Sequence, residues 1–128
     1  MTFSEKMLEA AQEGAVLLKN ENQTLPLTSS DTVSVFGRMQ FDFYRSGTGS
    51  GGSVHVPYIT NLTDSLIDLE NAGSSAKINR ELAETYKNWI KENPFDNGNG
   101  WATEPFTQKD MEISDALAAE CAKKSTKA

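Results

Sequence analysis

The sequence predicts an α/β fold of the doubly wound kind, and three observations carry that expectation. Apolar residues recur at three- and four-residue steps in four stretches, each opened by a side chain able to cap a helix. Between them lie short runs rich in β-branched and aromatic residues, the clearest of which ends on a glycine. The two kinds of segment also alternate along the chain, the order that a parallel sheet covered by helices requires. At 128 residues the chain is about one domain long.

The first helix is expected to start at Ser4, with Met7, Ala11 and Gly14 on one face and Gly14 at its end. Ala15–Lys19 reads either as a short buried strand or as a continuation of the packed segment, since periodicity does not separate the two. Asn20–Pro26 is polar and ends at a proline, as loops do. Thr32–Gly37 is the clearest strand, with Val33, Val35 and Phe36 closed by Gly37. A long glycine-rich loop follows, from Arg38 to Tyr58. Thr60 is expected to cap a helix with Leu62, Leu66 and Leu69 on one face, and Gly73 suits the position just past its end. Ala76–Ile78 reads as a second strand, and Asn79 as the cap of a helix in which Leu82, Tyr86 and Ile90 share a face until Asn93-Pro94 ends it. After a loop through Phe106, Ser114 opens the last helix, with Leu117, Ala118 and Cys121 expected inward.

Two or three short strands make too small a sheet for so many helices, since such sheets usually hold about four to six. The chain also stops where the alternation calls for another strand. It is therefore expected to be a piece of a larger α/β domain, cut on its carboxyl side.

Composition narrows the function. Leu, Ile, Val and Phe make up about a fifth of the chain, close to the level at which a charged sequence struggles to bury enough apolar surface. The net charge of −6 pulls the same way, and with a pI near 4.7 it argues against nucleic acid, which needs clustered Lys and Arg. No apolar run approaches the roughly 18–20 residues of a membrane helix. The acidic amino end does not resemble a signal peptide, so a cytoplasmic location is expected. One cysteine, Cys121, excludes an intrachain disulfide or a CxxC metal knuckle and reads as a small buried residue. One histidine, His55, excludes His-pair metal sites and reads as a structural loop residue. No cofactor is implied. Asn22-Gln23-Thr24 and Asn61-Leu62-Thr63 match the N-glycosylation acceptor, with nothing else pointing to a secretory route.

Gly47-Thr48-Gly49-Ser50-Gly51-Gly52 satisfies G-x-G-x-x-G. A dinucleotide site needs that pattern directly after a strand and opening a helix. Here it lies well past Gly37, and Pro57 interrupts before the next helix, so the context opposes nucleotide binding. A glycine loop at the carboxyl end of a parallel strand nevertheless lies where open α/β sheets bind ligands. Its approach through Phe41, Phe43, Tyr44 and Arg45 is aromatic and basic, which suits a flat, hydroxyl-rich ligand such as a sugar. Phe41 and Phe43 read first as core residues on alternate positions, ahead of ligand contact. Trp101 reads as a second sugar platform or as a pin for its loop. Glu104, the carboxylate beside it, reads as an exposed loop residue.

Glu13-Gly14-Ala15-Val16-Leu17-Leu18-Lys19-Asn20-Glu21, then Thr24-Leu25-Pro26-Leu27 and Val33-Ser34-Val35-Phe36-Gly37-Arg38, resembles the opening of the second domain of family 3 glycoside hydrolases. Tyr44–Gly52 and Asn93–Trp101 resemble a bacterial subgroup of that family. The resemblance implies that residues 1–128 are the first part of a three-layer α/β/α sandwich with a short, mostly parallel sheet, without the catalytic barrel. It implies a retaining, β-glucosidase-like enzyme acting on β-glucoside-like carbohydrate, its nucleophile an aspartate of the barrel and its acid/base a carboxylate of the sandwich. Neither role falls on a residue here, and no helix or loop of the sequence presents the carboxyl pair about 5–5.5 Å apart that retaining chemistry uses. What carries over is the loop bordering the substrate: Phe43, Tyr44, Arg45, Ser46, Gly47, Thr48, Gly49 and Ser50. Tyr44 is expected to stack on a sugar ring, and Arg45 to hold a hydroxyl or a barrel carboxylate. The chain alone is expected to be inactive and to self-associate. A stand-alone sugar- or phosphate-binding module without catalysis is the alternative reading.

Overall fold

A computed structural model of the chain describes residues 1–43, 56–73, 76–100, 103 and 105–128. In chain order these form α1 (Phe3–Glu13), a 3₁₀ turn (Glu21–Gln23), β1 (Thr32–Val33), a second 3₁₀ turn (Arg38–Gln40), α2 (Leu62–Asn71), β2 (Lys77–Ile78), α3 (Arg80–Glu92) and α4 (Asp115–Lys124). None of these helices is long and apolar enough to cross a membrane. The α/β reading holds: β1 and β2 pair in parallel, Thr32 opposite Lys77 and Val33 opposite Ile78. On the other side of β1, Val33 bridges Lys127, also in parallel, with the Ser34 N–H donating to the Lys127 carbonyl at 3.0 Å. Lys127 thus flanks β1 as an isolated bridge.

The strand expected over Thr32–Gly37 keeps its ladder only at Thr32–Val33. Its partner ends at Ile78, because Asn79 turns at once into the cap of α3, accepting the Leu82 N–H at 3.2 Å. Asn79 also donates to Ser34 Oγ at 2.9 Å, so one side chain starts the helix and docks it on the residue just past β1. The core gathers on α3 and α4: Leu82, Tyr86 and Cys121 are buried together, with Phe41, Met111 and Leu117 packed around them. Ile90 is only half-buried.

Several local expectations are corrected. Thr2, not Ser4, caps α1, through a capping box in which the Glu5 N–H donates to Thr2 Oγ1 and the Thr2 N–H to Glu5 Oε2. Gly14 ends the helix as expected, but α1 buries no residue. Ala15–Lys19 is neither a strand nor packed: both sides of β1 are taken, and Leu18 stands 91% exposed. In the next loop, Asn20 clips the chain by donating to the Leu25 carbonyl and accepting its N–H.

Asn61, one residue past Thr60, caps α2 by accepting the Asp64 N–H at 2.8 Å, and its own side-chain amide holds the Asp64 carboxyl below the ordinary aspartate range. The stripe of α2 is rotated from the one expected. Leu62 and Leu69 are exposed, Leu66 and Ile67 half-buried, and Thr63 is fully buried with its hydroxyl donating to Gln40 Oε1 at 2.7 Å. That bond turns the helix toward the end of β1. Gly73, at φ 70°, takes the left-handed position past the helix end that a Cβ would disfavour. Ser114 caps α4 as expected, accepting the Leu117 N–H. Ala118 is exposed, however, and with Phe36, Cys121 and Ala122 it walls an open hollow of about 410 Å³. Lys124 joins α4 to α3 by binding Glu120 at 2.6 Å and Glu81.

Candidate functional site

The described residues place the base of the long loop at the carboxyl end of β1, the position from which open α/β sheets address ligands. After Phe36 the chain reverses at Gly37, whose φ of 91° lies in the left-handed region that favours glycine. The reversal is pinned from three directions. Tyr86 of α3 accepts the Gly37 N–H at 2.8 Å. Asp110 accepts the Arg38 N–H with both oxygens, at 3.0 and 3.1 Å. Gln40 reaches back to donate to the carbonyls of Val35 and Gly37, while its own carbonyl accepts from Thr63.

Arg38 is the hub of this arrangement. Its guanidinium side chain is 2% exposed. Nε and Nη2 donate to Asp42 Oδ2 at 3.0 and 2.8 Å, Nη1 donates to the Lys109 carbonyl at 2.8 Å, and Nη2 also donates to the Asn93 carbonyl at 3.1 Å. Trp89 and Phe95 lie 5.4 and 5.6 Å from the guanidinium carbon, presenting rings to the cation. A buried cation is tolerated only when its donors are matched in this way. The loop after α3 is therefore held at both its ends, Asn93 and Lys109, against the loop after β1.

That second loop is also stapled across its own neck. Gln108 accepts the Asp96 N–H and donates to the Asp96 carbonyl, both at 2.9 Å, and Asp96 Oδ1 accepts the Gly98 N–H at 2.8 Å. The electrostatics follow the burial. Enclosure is the main cause that pushes the Tyr86 phenol above its ordinary range, aided by the Asp110 carboxylate, while the bond from Gly37 opposes it. Tyr86 is then a neutral hydroxyl at physiological pH and keeps a lone pair for Gly37.

Among the described residues the carboxylates of this arrangement serve to hold it together. Asp42 and Asp110, the carboxylates at its centre, are both committed to Arg38. Among the described residues no group of three or more His, Cys, Asp or Glu is placed to hold a metal ion. Of the predicted substrate-side residues, Phe43 is described and stands 61% exposed beyond the turn. Tyr44, Arg45, Ser46, Gly47, Thr48, Gly49 and Ser50 lie outside the described residues, as do His55, Trp101 and Glu104. Phe41 is the core residue of its pair, half-buried against α3, with Lys87 Nζ 5.3 Å from its ring.

Arg38, Asp42, Asn93 and Asp110 were not singled out from the sequence as a site. One signal was there to be read: Arg38, one of three arginines, directly follows the glycine that closes the strand. A charge so close to a strand end must be solvated or matched; its counter-charge, Asp42, lies four positions on, while the remaining acceptors around Arg38 lie 55–72 positions away.

Known proteins resemble this chain over nearly its whole length. Residues 15–127 match the family described as the glycosyl hydrolase family 3 C-terminal domain. A beta-glucosidase of Ruminococcus albus is 44% identical over 123 residues, covering 96% of this chain and 12% of that protein. Beta-glucosidase A of Butyrivibrio fibrisolvens is 48% identical over 70 residues, 52% of this chain and 8% of that protein. Among solved structures, a beta-glucosidase from Paenibacillus barengoltzii aligns with a TM-score of 0.85 at 51% identity, over 97% of this chain and 13% of that one. Beta-glucosidase 3B from Thermotoga neapolitana, solved in complex with alpha-D-glucose, aligns with a TM-score of 0.74 at 28% identity, over 95% and 16%. The chain thus spans a small part of each of these relatives.

Proposed function

Because this chain belongs to the glycosyl hydrolase family 3 C-terminal domain family, we propose that it is the first part of the α/β sandwich of a β-glucosidase-type enzyme and supplies one wall of its substrate site. The observation that carries this reading is the match over residues 15–127, with close relatives that are beta-glucosidases in both sequence and structure. The reacting groups come from elsewhere in the enzyme. An aspartate of a barrel attacks the anomeric carbon while a carboxylic acid further along the sandwich protonates the leaving oxygen. Water then hydrolyses the glycosyl-enzyme.

In this reading the loop leaving the Arg38 turn borders the bound sugar. Phe43 and Tyr44 offer apolar faces to a pyranose ring, Arg45 holds a sugar hydroxyl or a barrel carboxylate, and Ser46–Ser50 bring hydroxyls and close backbone approach. A cytoplasmic setting belongs to the same proposal, on the lone cysteine, which leaves the chain without an intrachain disulfide.

The test uses a full-length enzyme carrying this chain and a chromogenic β-glucoside. The whole enzyme is expected to turn it over and the 128-residue chain to be inactive. Tyr44→Ala and Arg45→Ala are each expected to weaken kcat/KM by about tenfold or more, the worth of one lost stacking or charged contact. Unchanged affinity and turnover in both would remove the loop from the site. Turnover by the purified chain alone would overturn the reading of it as a wall without reacting acids.

A further inference from the structure

We infer that Arg38 and Asp110 are positioning residues that lock the stem of the loop after α3 to the turn after β1, so that the two stems hold as one unit beside the proposed sugar site. The inference rests on the proposed β-glucosidase reading and assigns to it a device that none of the relatives' names describes. Four side-chain donations from one buried guanidinium are divided between the two loops: two go to Asp42, within the loop it belongs to, and two to the carbonyls of Asn93 and Lys109, at either end of the other loop. Asp110 closes the circuit from the far side by accepting the backbone N–H of Arg38 while its own neighbour, Met111, donates to the same carboxylate at 2.7 Å.

The second loop can transmit that restraint because the Gln108–Asp96 staple makes its neck rigid. Displacing Arg38 or Asp110 therefore shifts the turn from which the chain enters Phe43–Ser50, and it shifts the stem of the other loop with it. The clamp touches no reacting acid, so its loss weakens substrate and product binding alike and leaves the chemical step alone. That is the signature of uniform binding: KM rises and kcat holds.

In a full-length β-glucosidase carrying this chain, Asp110→Ala is expected to raise KM for a chromogenic β-glucoside, and the inhibition constant for glucose, by about tenfold, with kcat changed less than about twofold. Asp110→Asn, which keeps one acceptor oxygen for the Arg38 N–H, should recover most of the loss. Arg38→Lys, which cannot reach all three partners, should reproduce it. Lys124→Ala removes an ion-pair hub of similar size between α3 and α4 and should leave both constants unchanged. KM and glucose affinity within about twofold of the parent in folded Asp110→Ala and Arg38→Lys enzymes would overturn the inference, as would a fall in kcat with KM unmoved. Should the unsubstituted enzyme fail to cleave β-glucosides, the functional reading falls and the clamp is judged by hydrogen exchange. Asp110→Ala must then speed exchange in residues 38–42 and 93–100 together, and loosening of one segment without the other refutes the coupling.

Discussion

Tyr86 is 1% exposed and spends its one polar atom on the Gly37 N–H, at the point where the chain leaves the sheet. Replacing it with phenylalanine keeps the ring and leaves that N–H without its acceptor. Tyr86→Phe is expected to cost about 1–2 kcal/mol, read as a lower urea midpoint with an unchanged m-value. A neutral effect would mean that water replaces the hydroxyl. The aromatic pair nearby shows where residue-level reading reached its limit. Core positions two apart would place Phe41 and Phe43 on one face of an extended strand, but the 3₁₀ turn at Arg38–Gln40 breaks that period. Phe41 then lies against the α3–α4 core and Phe43 points outward. Gln40, which has no hydrophobic signature, is buried because it closes the turn with three hydrogen bonds.

Helix existence was legible because capping and periodicity are local: all four helices lie where their patterns place them, and three of the four caps fall on or beside the expected residue. Strand length was not, since a ladder ends where its partner ends, and β2 is cut short by the Asn79 cap. The same split governs stability along the chain. α1 has a sound capping box but buries nothing, and a helix of 11 residues without packing is marginal in water. α3 is anchored by Leu82, Ala83 and Tyr86. In the isolated chain, hydrogen exchange is expected to be fast over Phe3–Glu13 and slowest over the middle of α3. Equal protection of the two helices would show that α1 is held by packing in solution.

Among the described residues, the amino-terminal arm exposes a run of apolar side chains. Met7, Leu8, Val16, Leu17 and Leu18 are each more than half exposed, along a segment that packs on nothing described. The isolated chain is therefore expected to self-associate, with a weight-average sedimentation coefficient that rises with concentration. Salt should strengthen the association by screening the net charge of −6. Leu17→Glu with Leu18→Glu should restore the monomer, and a concentration-independent monomer of the unaltered chain would contradict the prediction. At this scale the residues announced the α/β class, the order of helices and strands, and the ordered run from Glu13 to Arg38 that resembles one family. Each of these is written in neighbours a few positions apart. Folding alone brought Arg38 to Asn93, Lys109 and Asp110, and Thr63 to Gln40. Those contacts join segments far apart in the chain: the counter-charge of Arg38 is local, at Asp42, but its carbonyl acceptors are brought to it by the packing of α3 and its loop, which no local pattern of residue types encodes.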